Sequence, residues 1–291
     1  MTSIVVIGAG QAAASLVARL RGDGHKGAIT LIGDEAVPPY QRPPLSKKYL
    51  MGDMALERLY LRPRSWYDDA GITLRLGTRV TGIDRAARQV VTGTDRLDYD
   101  ALVLATGSVP RRLPAAIGGD LDGVHTVRSL ADVDAMAPGI VPGARVLIVG
   151  GGYIGLEAAA VAASRGMDVT LVEMAPRILQ RVAAPETADY FRALHRRHNV
   201  DIREGVGLDH LRGDSHVTGA RLGDGSEIDV DMVIVGIGIA PDTALAEAAG
   251  LETENGIAVD ARGRTSDPAI WAAGDCASFP YRGARLRLES V

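Results

Sequence analysis

The sequence predicts an α/β fold of two doubly wound parallel-sheet units, the second inserted in the first, and three observations carry that prediction. Two glycine-rich turns, Gly8-Ala9-Gly10-Gln11-Ala12-Ala13 and Gly150-Gly151-Gly152-Tyr153-Ile154-Gly155, each follow a short apolar strand and precede an Ala-rich helical stretch. Each has carboxylates downstream, Asp34 and Glu35 for the first and Glu173 for the second. The stretch from Asp100 to Pro110 also aligns without gaps on the stretch from Asp231 to Pro241.

In the first turn Gly8 makes the bend, Gly10 lets a pyrophosphate approach the backbone, and Ala13 is the small residue that keeps the helix close to its strand. Exposed N–H groups at the start of the helix then attract phosphate. A second strand, Ala28 to Gly33, leads to Asp34 and Glu35, where an acidic side chain binds a ribose hydroxyl. This is a complete Rossmann-like βαβ unit.

The second unit repeats the plan with Arg145 to Val149 as strand, a strict GxGxxG, a helix through Ala163 and a strand from Asp168 to Glu173. Glu173 stands 18 residues after Gly155. A carboxylate there accepts from an adenosine 2′-OH and repels a 2′-phosphate, which favours NADH over NADPH, although Arg177 close by works against that preference. Two such sites in one chain point to two redox dinucleotides meeting, because a hydride passes only between cofactors in contact.

The gapless repeat reads in both halves as buried strand, glycine turn and proline stop. Ala105, Thr106 and Gly107 in the first half, and Gly238 in the second, lie where the chain passes close to a cofactor. Domain junctions are expected just after Gly107 and near Gly238. Short strands at Val80 to Ile83 and Gln89 to Thr92, and at Val200 to Arg203 and Val217 to Leu222, read as antiparallel inserts. Prolines 38, 39, 43 and 44 stiffen the segment before a helix expected to begin near Leu45.

A net charge of −4 gives no electrostatic case for nucleic acid or anionic membrane, and 291 residues suffice for two domains. The single cysteine, Cys276, excludes an internal disulfide and fits a reducing compartment. A strand beginning at Ser3 leaves no room for a leader, and no apolar run is long enough to span a membrane, so the expected location is cytoplasmic. His195 and His198 share a helical segment with arginines and read as a solvated face, not a metal site.

Near the C-terminus a short strand runs into Gly274 and Asp275, which reads either as an ordinary Gly-Asp turn or as a contact for a polyol chain. Taken with Tyr40-Gln41-Arg42-Pro43-Pro44-Leu45-Ser46-Lys47, Tyr60-Leu61-Arg62, Gly151 to Glu157, Thr265-Ser266-Asp267-Pro268 and Arg287-Leu288-Glu289-Ser290-Val291, the whole chain resembles the NADH-dependent ferredoxin reductases of bacterial oxygenase systems. The resemblance implies an FAD-binding domain of residues 1–110 and 239–291 around an NADH-binding domain of residues 111–238, with electrons leaving for a [2Fe-2S] ferredoxin that feeds a P450 or a dioxygenase. Reduction of rubredoxin or another small acceptor, or a redox-sensing binding role, are the alternatives.

Position by position, the resemblance implies FAD contacts at Ala12, Asp34, Lys47, Val80, Arg128, Asp275 and Val291, with Arg42 among the cofactor-binding residues. It places Lys47 and Glu157 near the flavin ring, and Arg62, with Arg64, on a rim for ferredoxin. A cation at Lys47 stabilises electron-rich reduced flavin, but a surface helix also carries such lysines. Glu157 equally suits a first-turn carboxylate complementing a helix dipole. Where thiol-using relatives carry redox cysteines, this chain has the Pro-Pro-Leu-Ser-Lys segment, so Cys276 reads as structural and the flavin must pass its electrons outward. The family's further C-terminal domain is not in the sequence, so a longer protein or a fragment is expected.

Overall fold

The computed structural model describes residues 2–93 and 95–289, so the expected contact at Val291 lies outside the described residues. The chain divides into two compact units, one of Met1–Gln41, Leu56–Val109 and Ala240–Val291, the other of Arg42–Ala55 and Pro110–Ile239. The segment Arg42–Ala55, counted with the first domain in the sequence reading, belongs to the second unit.

In the first unit five strands form a parallel sheet in the order Ile270–Ala272, Ala101–Leu104, Ile4–Ile7, Ile29–Ile32, Ile72–Arg75. These strands are runs of Ile, Val and Leu because both sheet faces are covered. Val6, Leu31, Ala13 and Val17 pack on one face, and Val5, Ile7, Leu102 and Leu104 on the other. The insert is a three-stranded antiparallel sheet of Gly82–Asp84, Gln89–Thr92 and Asp95–Asp98.

The second unit has the same design, with strands in the order Val200–Glu204, Asp168–Glu173, Arg145–Val149, Met232–Val235, Val124–Thr126, all parallel. The expectation that Val200 to Arg203 belongs to an antiparallel insert is therefore corrected. It forms the edge of the main sheet, and the insert is built from Leu208–Arg212, Gly219–Leu222 and Glu227–Asp229. The alternating exposure of an edge strand, which Val200, Asp201 and Ile202 show, is shared by antiparallel strands and hides the difference.

The internal repeat is visible in register. Leu104 pairs with Ile7 as Val235 pairs with Val149, and both pairs fall at equivalent positions of the gapless alignment. The aspartates that open the two stretches do the same work, Asp100 accepting from Ser3 N–H at 2.6 Å and Asp231 from Arg145 N–H at 2.8 Å. Both acids thereby anchor the start of the strand that leads to a glycine turn.

Candidate nucleotide sites

Each glycine turn is shaped as a phosphate cradle. A Cβ on Gly8 would fall 2.1 Å from the Ala105 carbonyl oxygen, and one on Gly150 would fall 2.4 Å from that of Gly236. Both glycines also have positive φ, 103° and 110°, so a side chain there meets strain and backbone together. At Gly10 and Gly152 a Cβ would meet nothing within 4 Å, which leaves open space that a pyrophosphate could occupy. Ala13 is fully buried and a Cβ on Gly155 would strike the Gly150 carbonyl at 2.0 Å, so both helices sit hard against their strands.

The helices that follow, Gln11–Gly22 and Tyr153–Ser164, begin at Gly10 and Gly152 with no side-chain cap and no acid in the first turn. Their first N–H groups are left for an anion. Tyr153 and Ile154 are exposed beside that end, where apolar groups suit a nucleotide. The two cradles thus fit dinucleotides on geometry alone.

Around the first cradle, Asp34 is exposed, and Glu35 accepts from the Tyr40 hydroxyl at 2.7 Å. Gly274 has φ 84° and lies close to Ala12, where a Cβ would come within 2.9 Å of the Ala12 methyl. Asp275 accepts from the Ser108 hydroxyl at 2.9 Å. Thr106 donates to the Asp242 carbonyl at 2.6 Å, and Gly107 turns with φ 74°. Val80 is buried in the core below. Gly8, Asp34, Ala105 and Gly274 thus each follow within two residues the C-terminal end of one of four neighbouring parallel strands.

In the second unit Glu173 ends its strand with both carboxylate oxygens engaged. Oε2 accepts from Gly151 N–H at 2.7 Å and Oε1 from Ala175 N–H at 2.8 Å. Gly238 has φ 97° and its carbonyl accepts from Arg111 N–H at 2.9 Å. Arg42 donates to the Arg128 carbonyl, and Arg128 N–H donates to Asp132 at 3.0 Å.

Lys47 and Glu157 meet. Lys47 Nζ lies 2.8 Å from Glu157 Oε1, while the buried Ser46 hydroxyl donates to Oε2 at 2.6 Å. Glu157 is the fifth residue of its helix, past the first turn, so its partners are these two side chains and not the helix end. The helix expected from Leu45 is corrected to a wide single turn, Leu45–Tyr49, in which Tyr49 N–H reaches the Pro44 carbonyl at 3.0 Å. It breaks at Lys47, with φ −130° and ψ −112°. Ser46 was missed in the sequence reading, though it stands between Leu45 and Lys47 in the segment singled out there.

His195 also corrects the sequence reading. It is buried, with Nδ1 2.9 Å from the Phe191 carbonyl and Nε2 3.0 Å from that of Leu156, so it joins two helices and faces no solvent. His198 is exposed as expected. Cys276 is fully buried, its Sγ near the Leu104 and Ala273 carbonyls, and burial raises its pKa. Arg62 and Arg64 are exposed, and the Arg62 guanidinium stacks 4.3 Å over Trp66. Among the described residues no helix is long and apolar enough to cross a membrane.

A model of the pyridine nucleotide-disulphide oxidoreductase family matches residues 2–291. Putidaredoxin reductase CamA of Pseudomonas putida is 43% identical over 297 residues, covering 99% of this chain and 70% of that protein. The ferredoxin reductase subunit of 5,5'-dehydrodivanillate O-demethylase from a Sphingobium species is 44% identical, covering 99% and 71%. The crystal structure of the covalent putidaredoxin reductase–putidaredoxin complex superposes with a TM-score of 0.94 at 42% identity, over 99% of this chain and 71% of that one. On the two cradles, the duplicated sheets and these matches, the chain belongs to the pyridine nucleotide-disulphide oxidoreductase family.

Proposed function

We propose that this protein is an NADH-dependent ferredoxin reductase carrying FAD, which draws electrons from NADH and hands them singly to a [2Fe-2S] ferredoxin serving an oxygenase. The observation that carries this reading is the pairing of two dinucleotide cradles with a lone, fully buried thiol. With no second cysteine to form a redox pair, the electrons leave to an outside acceptor.

FAD, when bound, takes two electrons together from NADH and releases them one at a time. The first unit would hold it through the Gly8-to-Ala13 turn, Asp34, Val80, Ala105 to Gly107 and Gly274-Asp275, and the family resemblance adds Lys47, Arg42 and Arg128 to the expected FAD contacts. The second unit would hold NADH through the Gly150-to-Gly155 turn, Glu173 and Gly238. Lys47 would supply a fixed positive charge for the reduced ring; Glu157 holds that ammonium, and the Ser46 hydroxyl orients the Glu157 carboxylate. Arg62 and Arg64 would offer positive charge to an acidic ferredoxin. The cytoplasm is the compartment that suits an unpaired buried thiol.

Purified protein loaded with FAD should be yellow, bleach on mixing with NADH, and regain its colour on adding oxidised [2Fe-2S] ferredoxin. Absence of bleaching would remove the enzyme reading. Bleaching followed by faster re-oxidation with rubredoxin than with any ferredoxin would name a different acceptor.

A further inference from the structure

The two cradles differ at one pair of positions that the glycine fingerprint does not include. Strand register makes Ala9 equivalent to Gly151 and Gly33 equivalent to Glu173, because Ile7 pairs with Ile32 as Val149 pairs with Val172. The hydrogen bonds agree, Gly8 N–H reaching the Ile32 carbonyl at 2.8 Å and Gly150 N–H the Val172 carbonyl at 2.9 Å. In the first cradle the turn has a methyl and the strand end has none, and a Cβ on Gly33 would lie 2.5 Å from that of Ala9. In the second the arrangement is inverted. A Cβ on Gly151 would lie 3.1 Å from both Cβ and Oε2 of Glu173, and 2.7 Å from Ile178 Cγ2. A side chain on both members is crowded, severely in the first cradle, while in the second a methyl on Gly151 presses on Ile178 and sits tight against Glu173.

Ile178 has little freedom to yield. It is fully buried, and its N–H donates to Glu204 Oε1 at 2.8 Å. Glu204 is itself clamped by Arg192, whose Nε donates to Oε2 at 2.6 Å. The next residue, Leu179, donates its N–H to the Gly151 carbonyl at 2.9 Å. Glu173 is the less buried of the two neighbours, and its carboxylate is held only by the N–H groups of Gly151 and Ala175, so the crowding is relieved there by displacing the carboxylate.

We propose that Gly151 is a specificity-determining residue for the coenzyme. Its missing Cβ is what lets the Glu173 carboxylate stand at the ribose position, and a methyl there turns that carboxylate away and weakens discrimination against a 2′-phosphate. The inference rests on the reading of Glu173 as the ribose partner. The backbone at Gly151 does not lie in the left-handed region, so an added methyl is opposed by its side-chain neighbours and not by φ.

The test uses the FAD-loaded protein and two ligands that cannot turn over, ADP-ribose and its 2′-phosphate, with dissociation constants from calorimetry for wild type, Gly151→Ala, Glu173→Ala and the double variant. Gly151→Ala is expected to weaken ADP-ribose about tenfold while changing the 2′-phosphate by less than about threefold. In the Glu173→Ala background the same substitution should leave the ratio of the two constants unchanged. A third variant, Gly151→Ala with Ile178→Leu, removes the Cγ2 contact and should restore at least half of the lost preference; it also serves if Gly151→Ala alone retains FAD poorly. An unchanged ratio in Gly151→Ala, equal weakening of both ligands, or the same ratio change with and without Glu173 overturns the proposal. If Glu173→Ala alone leaves the ratio unaltered, the reading of Glu173 fails first and takes the inference with it.

Discussion

Lys47 Nζ lies 2.8 Å from Glu157 Oε1, and the bond between a broken turn and a fingerprint helix is made inside one structural unit. Ser46 takes the other carboxylate oxygen at 2.6 Å, so Glu157 is the common anchor of two consecutive residues. The pair is partly exposed, 46% for the lysine and 32% for the glutamate, so it adds little to stability, and the role proposed for it is on charge at the flavin.

Lys47→Met should therefore slow flavin reduction by NADH by about ten- to a hundredfold with little change in unfolding temperature. Ser46→Ala, which leaves the ammonium paired, should slow it by less. Stopped-flow absorbance reads both rates. Equal rates in wild type and Lys47→Met would show that the ammonium acts on nothing in the reaction.

At Glu173, NADPH would set a phosphate dianion against a carboxylate. Glu173→Arg should narrow the NADH preference by about 1 to 3 kcal/mol, read as the ratio of kcat/KM for the two coenzymes. Because Glu173 also receives N–H bonds from Gly151 and Ala175, the KM for NADH itself should rise. An unchanged ratio would place the ribose partner elsewhere.

How much of this was legible beforehand depended on whether the signal was local. The βαβ units, the register of the repeat and the role of Glu173 as a strand-end acid follow from glycine spacing and apolar runs, which local sterics dictate. The shift of the first half's acid to Asp34 has a steric reason in Ala9 and Gly33, two residues 24 apart in sequence that only the sheet register brings together. His195 reads as solvated from its arginine neighbours because the Leu156 carbonyl that binds it is 39 residues away. The prolines mark the turn at Leu45, but Lys47 breaks it and pairs with Glu157, a partner 110 positions along the chain that no local pattern points to.

Cys276 should be dispensable for turnover. Cys276→Ser should keep most NADH oxidation with a one-electron acceptor, since the hydroxyl can face the same Leu104 and Ala273 carbonyls. Loss of turnover with FAD fully bound would contradict outward transfer. The pH dependence has a definite sign. Burial raises the folded-state pKa of this thiol above its ordinary 9.0, so the stability it contributes is complete below that value and is lost as pH climbs above it. Wild type should thus lose stability above about pH 9 more steeply than Cys276→Ala in urea titrations.

Asp231 gives the opposite window. The Arg145 guanidinium and backbone N–H lower its pKa from 3.8 to about 2. Its contribution is present above 3.8 and disappears as pH falls toward 2, so Asp231→Asn should flatten the acid limb of the stability curve in that range. Both side chains are nearly half exposed, and screening keeps the effect small, so 1 M salt should shrink it further. An identical acid limb in wild type and variant would show that the pair has no energetic role.

The docking rim is the last expectation open to a direct test. Arg62 is exposed, and its stacking on Trp66 holds the guanidinium in one place, so less freedom is lost when a partner carboxylate binds it than for an unrestrained arginine. Arg64 stands two residues on, also exposed, as the first residue of a short helix. A ferredoxin carrying acidic side chains would be steered by this charge, and steering acts on association, which salt screens over about 8 to 10 Å. Arg62→Glu should raise the apparent KM for ferredoxin several-fold at low salt, with the difference from wild type closing as salt is added. Flavin reduction by NADH should stay at the wild-type rate, because the substitution touches neither glycine cradle. Trp66→Leu, which frees Arg62 without removing its charge, should raise KM by less and keep the salt dependence. Equal slowing of both half-reactions in Arg62→Glu would instead point to damage of the first unit, and an unaltered KM would move the docking surface away from this arginine.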